Sequence, residues 1–135
     1  MIRAATAQDV PRIVEMGQRF HTAASLPMRF DAGAVAEMLS GMVASDSAAL
    51  LVSDYGMIGG VLAPAYCDPA WVMAVELFWW ADRDGLALLR AFETWGRENG
   101  AHEIRMTSLA ALPRADAILR RKGYAATEIS YAKVN

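Results

Sequence analysis

The sequence predicts an α/β fold in which a central mixed β-sheet carries helices on both faces. The order of apolar patterns supports this prediction, because strand-like and helix-like segments follow one another as β-α-α-β-β-β-α-β-α-β. Composition supports it as well, since 55% of the 135 residues are hydrophobic and 21% are charged. No linker, repeat or low-complexity tract divides the chain, so we expect one domain over residues 1–135.

The N-terminal part predicts one short strand and two helices. Residues 2–5 form the strand, and Thr6 with Asp9 matches the Ser/Thr-x-x-acid pattern that begins a helix. Apolar residues then recur at the spacing of a buried helix face, namely Val10, Ile13, Val14, Gly17 and Phe20. A second helix after Asp31 has a similar apolar face, made of Val35, Met38, Leu39, Met42 and Val43.

The middle of the chain has the pattern of strands. Residues 48–53 and 56–66 form a hairpin across the turn Asp54-Tyr55-Gly56. Residues 71–80 are apolar except for Glu76, as in a central strand that helices cover on both sides.

The last third predicts a helix, a strand, a shorter helix and a final strand. Residues 82–85 open the first helix, whose buried face is Leu88, Leu89, Phe92, Trp95 and Gly96, and Asn99-Gly100 ends it. Residues 102–107 alternate as a strand, and residues 113–122 form a helix that Gly123 caps. Residues 124–134 are expected to close the sheet, and residues 128–134 offer an edge through which a homodimer could form.

Composition and charge exclude several kinds of partner. The formal net charge is −2 at pH 7, too little positive potential to hold a nucleic acid, so no nucleic-acid partner is expected. No apolar run approaches the roughly 18 residues of a membrane span, so no membrane partner is expected. Cys67 is the single cysteine and the two histidines lack ligand spacing. We therefore expect no metal and a reducing, cytoplasmic compartment.

Four segments together resemble the GNAT superfamily of acetyl-CoA-dependent N-acetyltransferases over essentially the whole chain. They are residues 2–6 with Asp9 and Ile13, Gly59-Gly60-Val61-Leu62, residues 75–80 with the helix 86–100, and residues 117–124 with their Gly-Tyr pair. Residues 20–25 and the Gly-Tyr…Ile-Ser-Tyr ending most resemble small acetyltransferases encoded by phages and prophages.

The resemblance implies where a cofactor and an acceptor would bind. Two parallel strands would splay apart after the Trp79-Trp80 region, and the strand edge at Phe78, Trp79 and Trp80 would bind the pantetheine arm of acetyl-CoA. The diphosphate would lie at the start of the following helix, on Arg83, Asp84, Gly85, Leu86 and Ala87. The segment 20–30 would wall the pocket of a primary amine, on a small molecule or a protein, with His21, Ser25 and Arg29 as candidate contacts.

Glu76 is the candidate catalytic base. It is the sole ionisable residue between Ala70 and Ala81, so burial should raise the pKa of its carboxyl group and make it a competent acceptor for an ammonium proton. The other interpretation is a structural glutamate that is bonded to the backbone or to an arginine. No residue offers a convincing covalent nucleophile, which favours direct attack of the amine on the thioester.

Several positions depart from the family pattern. The loop that the family builds as Gln/Arg-x-x-Gly-x-Gly/Ala is shorter here, and Asp82 and Asp84 bring negative charge to it. Asp84 either caps the helix with its side chain or leaves the amides to a phosphate. Leu119 stands where some relatives have a tyrosine that acts as the general acid. The asparagine that often follows the fifth strand in the family is also absent. The alternative function is therefore a GNAT-fold binding module, or an acyl-CoA sensor, with weakened or lost catalysis.

Overall fold

The computed structural model describes residues 1–135 as a five-stranded mixed sheet with helices on both faces, which confirms the predicted fold class. The strands are β1 (Arg3–Ala4), β2 (Ala48–Val52), β3 (Gly56–Ala65), β4 (Asp68–Ala81) and β5 (Glu103–Arg105). The helices are α1 (Val10–Ala24), α2 (Ala32–Val43), α3 (Gly85–Glu98) and α4 (Arg114–Arg121), and a 3₁₀ turn (Ala7–Asp9) precedes α1. The strand order is β1-β2-β3-β4-β5, and only the pair β4 and β5 is parallel.

Two apolar cores lie on opposite faces of the sheet. Buried residues of α1 and α2, such as Ile13 and Leu39, pack with β2 and β3 on one face. Leu88 and Phe92 of α3 pack with Ile58 and other residues of the strands on the second face. Both cores follow from the apolar spacing of the helices, because residues three and four apart share one face.

A bulge interrupts the ladder between β3 and β4. Gly60 pairs with Glu76 while Gly59 pairs with Phe78, so Leu77 has no opposite residue. The two glycines are required here, because a Cβ on Gly59 would collide with the Phe78 ring and one on Gly60 would lie 2.5 Å from the carbonyl oxygen of Val75. A bulge changes which side chains face each side of the sheet, and this one falls next to the carboxylate singled out by the sequence.

The prediction of a final strand over residues 124–134 is wrong. The only backbone hydrogen bond of the segment after Gly123 runs from Tyr124 N–H to Leu119 O, at 3.0 Å, and Ile129, Tyr131 and Val134 are exposed. Since β5 is three residues long, its outer edge has too few backbone groups to pair with a strand of the predicted length. Pairing of residues 128–134 with a second copy of the chain stays a prediction.

Smaller differences concern the ends and faces of single elements. Strand β4 begins at Asp68, three residues before the expected start, and β5 covers only the middle of the expected 102–107. Met38 was expected on the inner face of α2 but is 44% exposed. None of the helices is both long and apolar enough to span a bilayer.

Candidate functional site

The strands β4 and β5 separate partway along β4. Their parallel register joins Met73 to Glu103, Ala74 to Ile104 and Val75 to Arg105, and it ends there. From Glu76 to Ala81, β4 pairs with β3 alone, so its other edge faces no strand. The sequence placed this separation after Trp79-Trp80. That position is wrong, because the strands part several residues earlier, beside the bulge at Leu77.

Glu76 lies where the two strands part and bridges the gap with its side chain. Its Oε1 accepts hydrogen bonds from the N–H and the hydroxyl of Thr107, both at 2.9 Å. A side-chain oxygen thus takes the place of a strand partner for the Thr107 amide. Glu76 is 5% exposed, yet its Oε2 accepts no hydrogen bond and is not among the fully buried unpartnered atoms. One carboxylate oxygen therefore remains available to a ligand.

The environment of Glu76 strengthens its carboxylate as a base. Burial raises the pKa of the carboxyl group above its ordinary value, and the two hydrogen bonds from Thr107 oppose that rise only in part. A carboxylate with a raised pKa is a stronger proton acceptor than an exposed one. Both interpretations of Glu76 agree with this geometry, since it is bonded to a backbone amide and still has a free oxygen.

The unpaired edge of β4 carries the residues expected to bind pantetheine. On alternate residues of such an edge, the backbone N–H and C=O groups point away from β3. Trp79 donates from Nε1 to Gly85 O at 3.1 Å and so braces the first turn of α3. Trp80 packs edge-on against Phe20 of α1, with ring centres 5.8 Å apart, and its Nε1 is buried without a partner.

The start of α3 leaves its amides unpaired. Asp84 precedes the helix with a φ of 63°, and its side chain makes no capping hydrogen bond. Of the two expectations for Asp84, side-chain capping is thus wrong. The N–H groups of Gly85, Leu86 and Ala87 donate to no protein acceptor, and Leu88 N–H is the first that does. Unpaired amides at a helix start favour an anion.

The residues expected around the acceptor hold the turn between α1 and α2. His21 Nε2 lies 2.6 Å from Met28 O, and Ser25 ends α1 with a φ of 50°. Arg29 is exposed and forms an ion pair with Asp31 at 3.2 Å. No hydrogen bond or ion pair joins these three residues to Glu76, so their role toward a substrate stays a prediction.

Two surface grooves lie at opposite ends of the sheet. One, of about 510 Å³, is lined by charged residues of α1 and of the β2–β3 turn together with Asp82. The other, of about 780 Å³, lies between the β3–β4 hairpin, β5 and the C-terminal segment. Neither groove is lined by Glu76, which sits in the gap between β4 and β5. No group of three or more His, Cys, Asp or Glu side chains is arranged to hold a metal ion.

Three residues of this region had no predicted role. Thr107, which follows β5, donates both hydrogen bonds to Glu76. Arg19 and Tyr55 contact the β4–α3 loop from α1 and from the β2–β3 turn. Nothing in the local pattern marks Arg19 or Tyr55, because each is more than 25 residues from the loop that it contacts.

No protein-family model matches the sequence, and no curated protein matches it either. Solved structures match along the whole length. A transcriptional regulator from Bacillus halodurans C-125 superposes with a TM-score of 0.79 at 17% identity, over 100% of this chain and 99% of that one. A structure described as a predicted acetyltransferase with acetyl-CoA, from Clostridium acetobutylicum, has a TM-score of 0.78 at 11% identity, over 100% of this chain and 95% of that one.

A third structure is an aminoglycoside acetyltransferase from an uncultured soil metagenomic sample, in complex with trehalose. Its TM-score is 0.73 at 13% identity, over 100% of this chain and 95% of that chain. The chain therefore has the GNAT fold that its sequence resembles. At such identities the likeness concerns the fold, and activity has to be argued from the site.

Proposed function

We propose that this protein is an N-acetyltransferase that moves an acetyl group from acetyl-CoA to a primary amine by direct attack. The observation that carries the proposal is the gap between β4 and β5, with the free Oε2 of Glu76 at its base. Acetyltransferases with the same fold, one of them solved with acetyl-CoA, support the type of reaction. The resemblance of residues 20–25 to phage and prophage enzymes suggests a small acetyltransferase of that type.

The chain fits a coenzyme in two places. Backbone groups on the unpaired edge at Phe78, Trp79 and Trp80 can pair with the amides of pantetheine, as a neighbouring strand would. The free N–H groups of Gly85, Leu86 and Ala87, with Arg83 and Asp84 beside them, can receive the diphosphate. The outward-facing groups of this edge and the α3 amides lack protein partners, which is the condition for a ligand to take them.

Glu76 performs the proton transfer in this proposal. Its carboxylate takes a proton from the substrate ammonium, directly or through one water, and leaves the neutral amine. The amine nitrogen bonds to the acetyl carbon and gives its extra proton to water, the carbon–sulfur bond breaks, and the coenzyme thiolate leaves and takes up a proton. Some relatives have a tyrosine as the general acid at the position of Leu119. A leucine side chain cannot supply that proton, so water is the expected donor.

The test of the proposal is binding and turnover by the whole protein. Isothermal titration with acetyl-CoA should give saturable binding, and a coenzyme concentration one hundred times the Kd should stabilise the fold by about 2.7 kcal/mol. Release of free coenzyme thiol should then depend on an added amine, scanned over aminoglycosides, polyamines, amino acids and a lysine peptide. Absence of binding at millimolar acetyl-CoA would contradict the proposal.

A second candidate function is a binding protein with the same fold. The short loop 82–84 and Leu119 favour it, because both weaken parts of the family's catalytic apparatus. An acyl-CoA sensor would bind acetyl-CoA without releasing thiol for any amine. A module that binds only a protein partner would not bind the coenzyme at all, so the two measurements separate the three outcomes.

A further inference from the structure

The loop between β4 and α3 has only three residues, and α1 holds it from the side. Arg19 donates two hydrogen bonds to the Asp82 carboxylate, from Nη1 at 3.0 Å and from Nη2 at 2.8 Å. Two parallel bonds between a guanidinium and a carboxylate fix orientation as well as distance. The guanidinium also lies over the Trp80 ring, 5.7 Å from its centre. This ion pair therefore sets the position of the loop relative to the first helix.

Tyr55, in the turn between β2 and β3, is a second anchor of the same loop. Its carbonyl oxygen accepts a hydrogen bond from Asp82 N–H at 2.9 Å. The Arg83 guanidinium lies 4.9 Å from the centre of the Tyr55 ring, within the range of a cation–π contact. Arg12 of α1 holds this turn in place, because it donates to Ser53 O at 2.9 Å.

The loop needs such anchors because its own conformation is unfavourable. Asp84 has a φ of 63°, a left-handed conformation that costs free energy in any residue other than glycine. A conformation of this kind persists only when surrounding contacts impose it. The side chain of Asp84 does not help, since it makes no capping hydrogen bond. Arg19 and Tyr55 hold the two residues before it, Asp82 and Arg83.

We propose that Arg19 is a positioning residue, which holds Asp82 so that the Arg83 guanidinium and the free amides of Gly85, Leu86 and Ala87 face one diphosphate. This inference rests on the proposed function, since the diphosphate is that of acetyl-CoA. Arg19 acts through Asp82 and not on the substrate. The ion pair also compensates the charge of the carboxylate that the sequence places beside a polyanion, which explains how an acidic residue is tolerated in this loop.

The experiment compares Arg19→Ala and Asp82→Asn with the wild-type protein. Calorimetry gives the Kd of coenzyme A, and steady-state kinetics gives KM for acetyl-CoA and kcat. Each substitution should raise Kd and KM roughly threefold to fivefold, as expected for an exposed bidentate pair, and should leave kcat within about twofold. The double variant should bind no more weakly than either single one, because both remove the same interaction. Arg19→Lys should lie between Arg19→Ala and the wild type.

Arg97→Ala is the matched control, since it also removes one arginine charge. Arg97 lies on α3 about 18 Å from the start of the helix at Gly85, where the diphosphate would bind. It should leave Kd and KM unchanged. The inference is overturned if Arg19→Ala binds coenzyme A as well as Arg97→Ala does, or if Asp82→Asn binds more tightly than the wild type. The second result would mean that Asp82 simply repels the diphosphate. If the wild-type protein binds no coenzyme A, the proposed function itself fails and this inference falls with it.

Discussion

The two halves of β4 differ in what lies on their outer edge. In the first half, Met73, Ala74 and Val75 pair with β5, so both edges there are occupied by strands. In the second half, from Glu76 to Ala81, only β3 is a partner. The change occurs at one residue, because the Glu76 carboxylate bonds the Thr107 amide that a continuous ladder would have used. A single side chain can thus end a strand pair and leave backbone groups for a ligand.

The largest effect is expected from Glu76→Gln. A glutamine can still accept both hydrogen bonds from Thr107, so the strands should part at the same place, but it cannot accept a proton. We expect kcat to fall by about 10² to 10⁴, the usual contribution of a general base, while the Kd of acetyl-CoA stays within about twofold. Steady-state kinetics measures kcat, and calorimetry measures the Kd of acetyl-CoA.

Glu103→Gln is the control for this variant. Glu103 is also a glutamate of the β4–β5 region, but it bonds Trp71 and Arg105 and lies away from the gap. Its substitution should leave kcat unchanged. A Glu76→Gln protein as active as the wild type would exclude Glu76 as the base.

The pH dependence follows from the environment of Glu76. Since burial raises its pKa, kcat should rise with pH through that raised pKa and then level off. The hydrogen bond from the Thr107 hydroxyl lowers the pKa, so Thr107→Val should move the acid limb of the profile to higher pH. A profile that is unchanged in Thr107→Val would contradict the assignment.

Stability should change with pH in the opposite sense to activity. Protonated Glu76 is favoured in the folded state, so its stabilising contribution is present at low pH and is lost as pH rises through the folded pKa. Glu76→Gln should therefore melt at a higher temperature than the wild type at pH 8, and the difference should shrink toward pH 4. Thermal melts across that range test the sign.

A moderate effect is expected from a methyl group at the bulge. In Gly60→Ala the new Cβ would meet the carbonyl oxygen of Val75 at 2.5 Å and the Phe92 ring at 2.6 Å. Overpacking of this kind costs about 1–3 kcal/mol of unfolding free energy. Gly41→Ala is the control, since its Cβ meets nothing within 4 Å in α2 and should stabilise by about 0.5–1 kcal/mol. Urea unfolding gives both values, and equal values would contradict the close packing at the bulge.

The smallest effect is a difference in unfolding free energy between Trp79→Phe and Trp80→Phe, two substitutions in the second half of β4. Trp79→Phe loses the hydrogen bond to Gly85 O and should cost about 1 kcal/mol in addition to the smaller ring. Trp80→Phe removes a buried N–H that has no partner, so that part of the change should cost nothing. Urea unfolding of both variants compares the costs. An equal loss of stability in the two variants would show that the Trp79 hydrogen bond contributes little.

Much of the fold could be predicted from local pattern. The apolar spacing of α1, α2 and α3 and the isolated carboxylate at Glu76 are readable from sequence because each depends on residues near in the chain. The absence of a final strand could not be predicted in this way. Residues 124–134 alternate like a strand, but strand pairing also requires a neighbouring strand with a free edge. Because β5 is only three residues long, its outer edge is too short for a strand of that length.

The sequence by itself determined the fold class, with helices on both faces of a mixed sheet, and the burial of Glu76, since these follow from periodicity and hydrophobicity. Only the tertiary structure decided where β4 and β5 separate, that Thr107 is the partner of Glu76, and that Arg19 and Tyr55 hold the β4–α3 loop. Those contacts join residues that are 27 to 63 positions apart. The physical reason is that hydrogen bonds and ion pairs depend on distance in space, and local pattern carries no information about which distant residues meet.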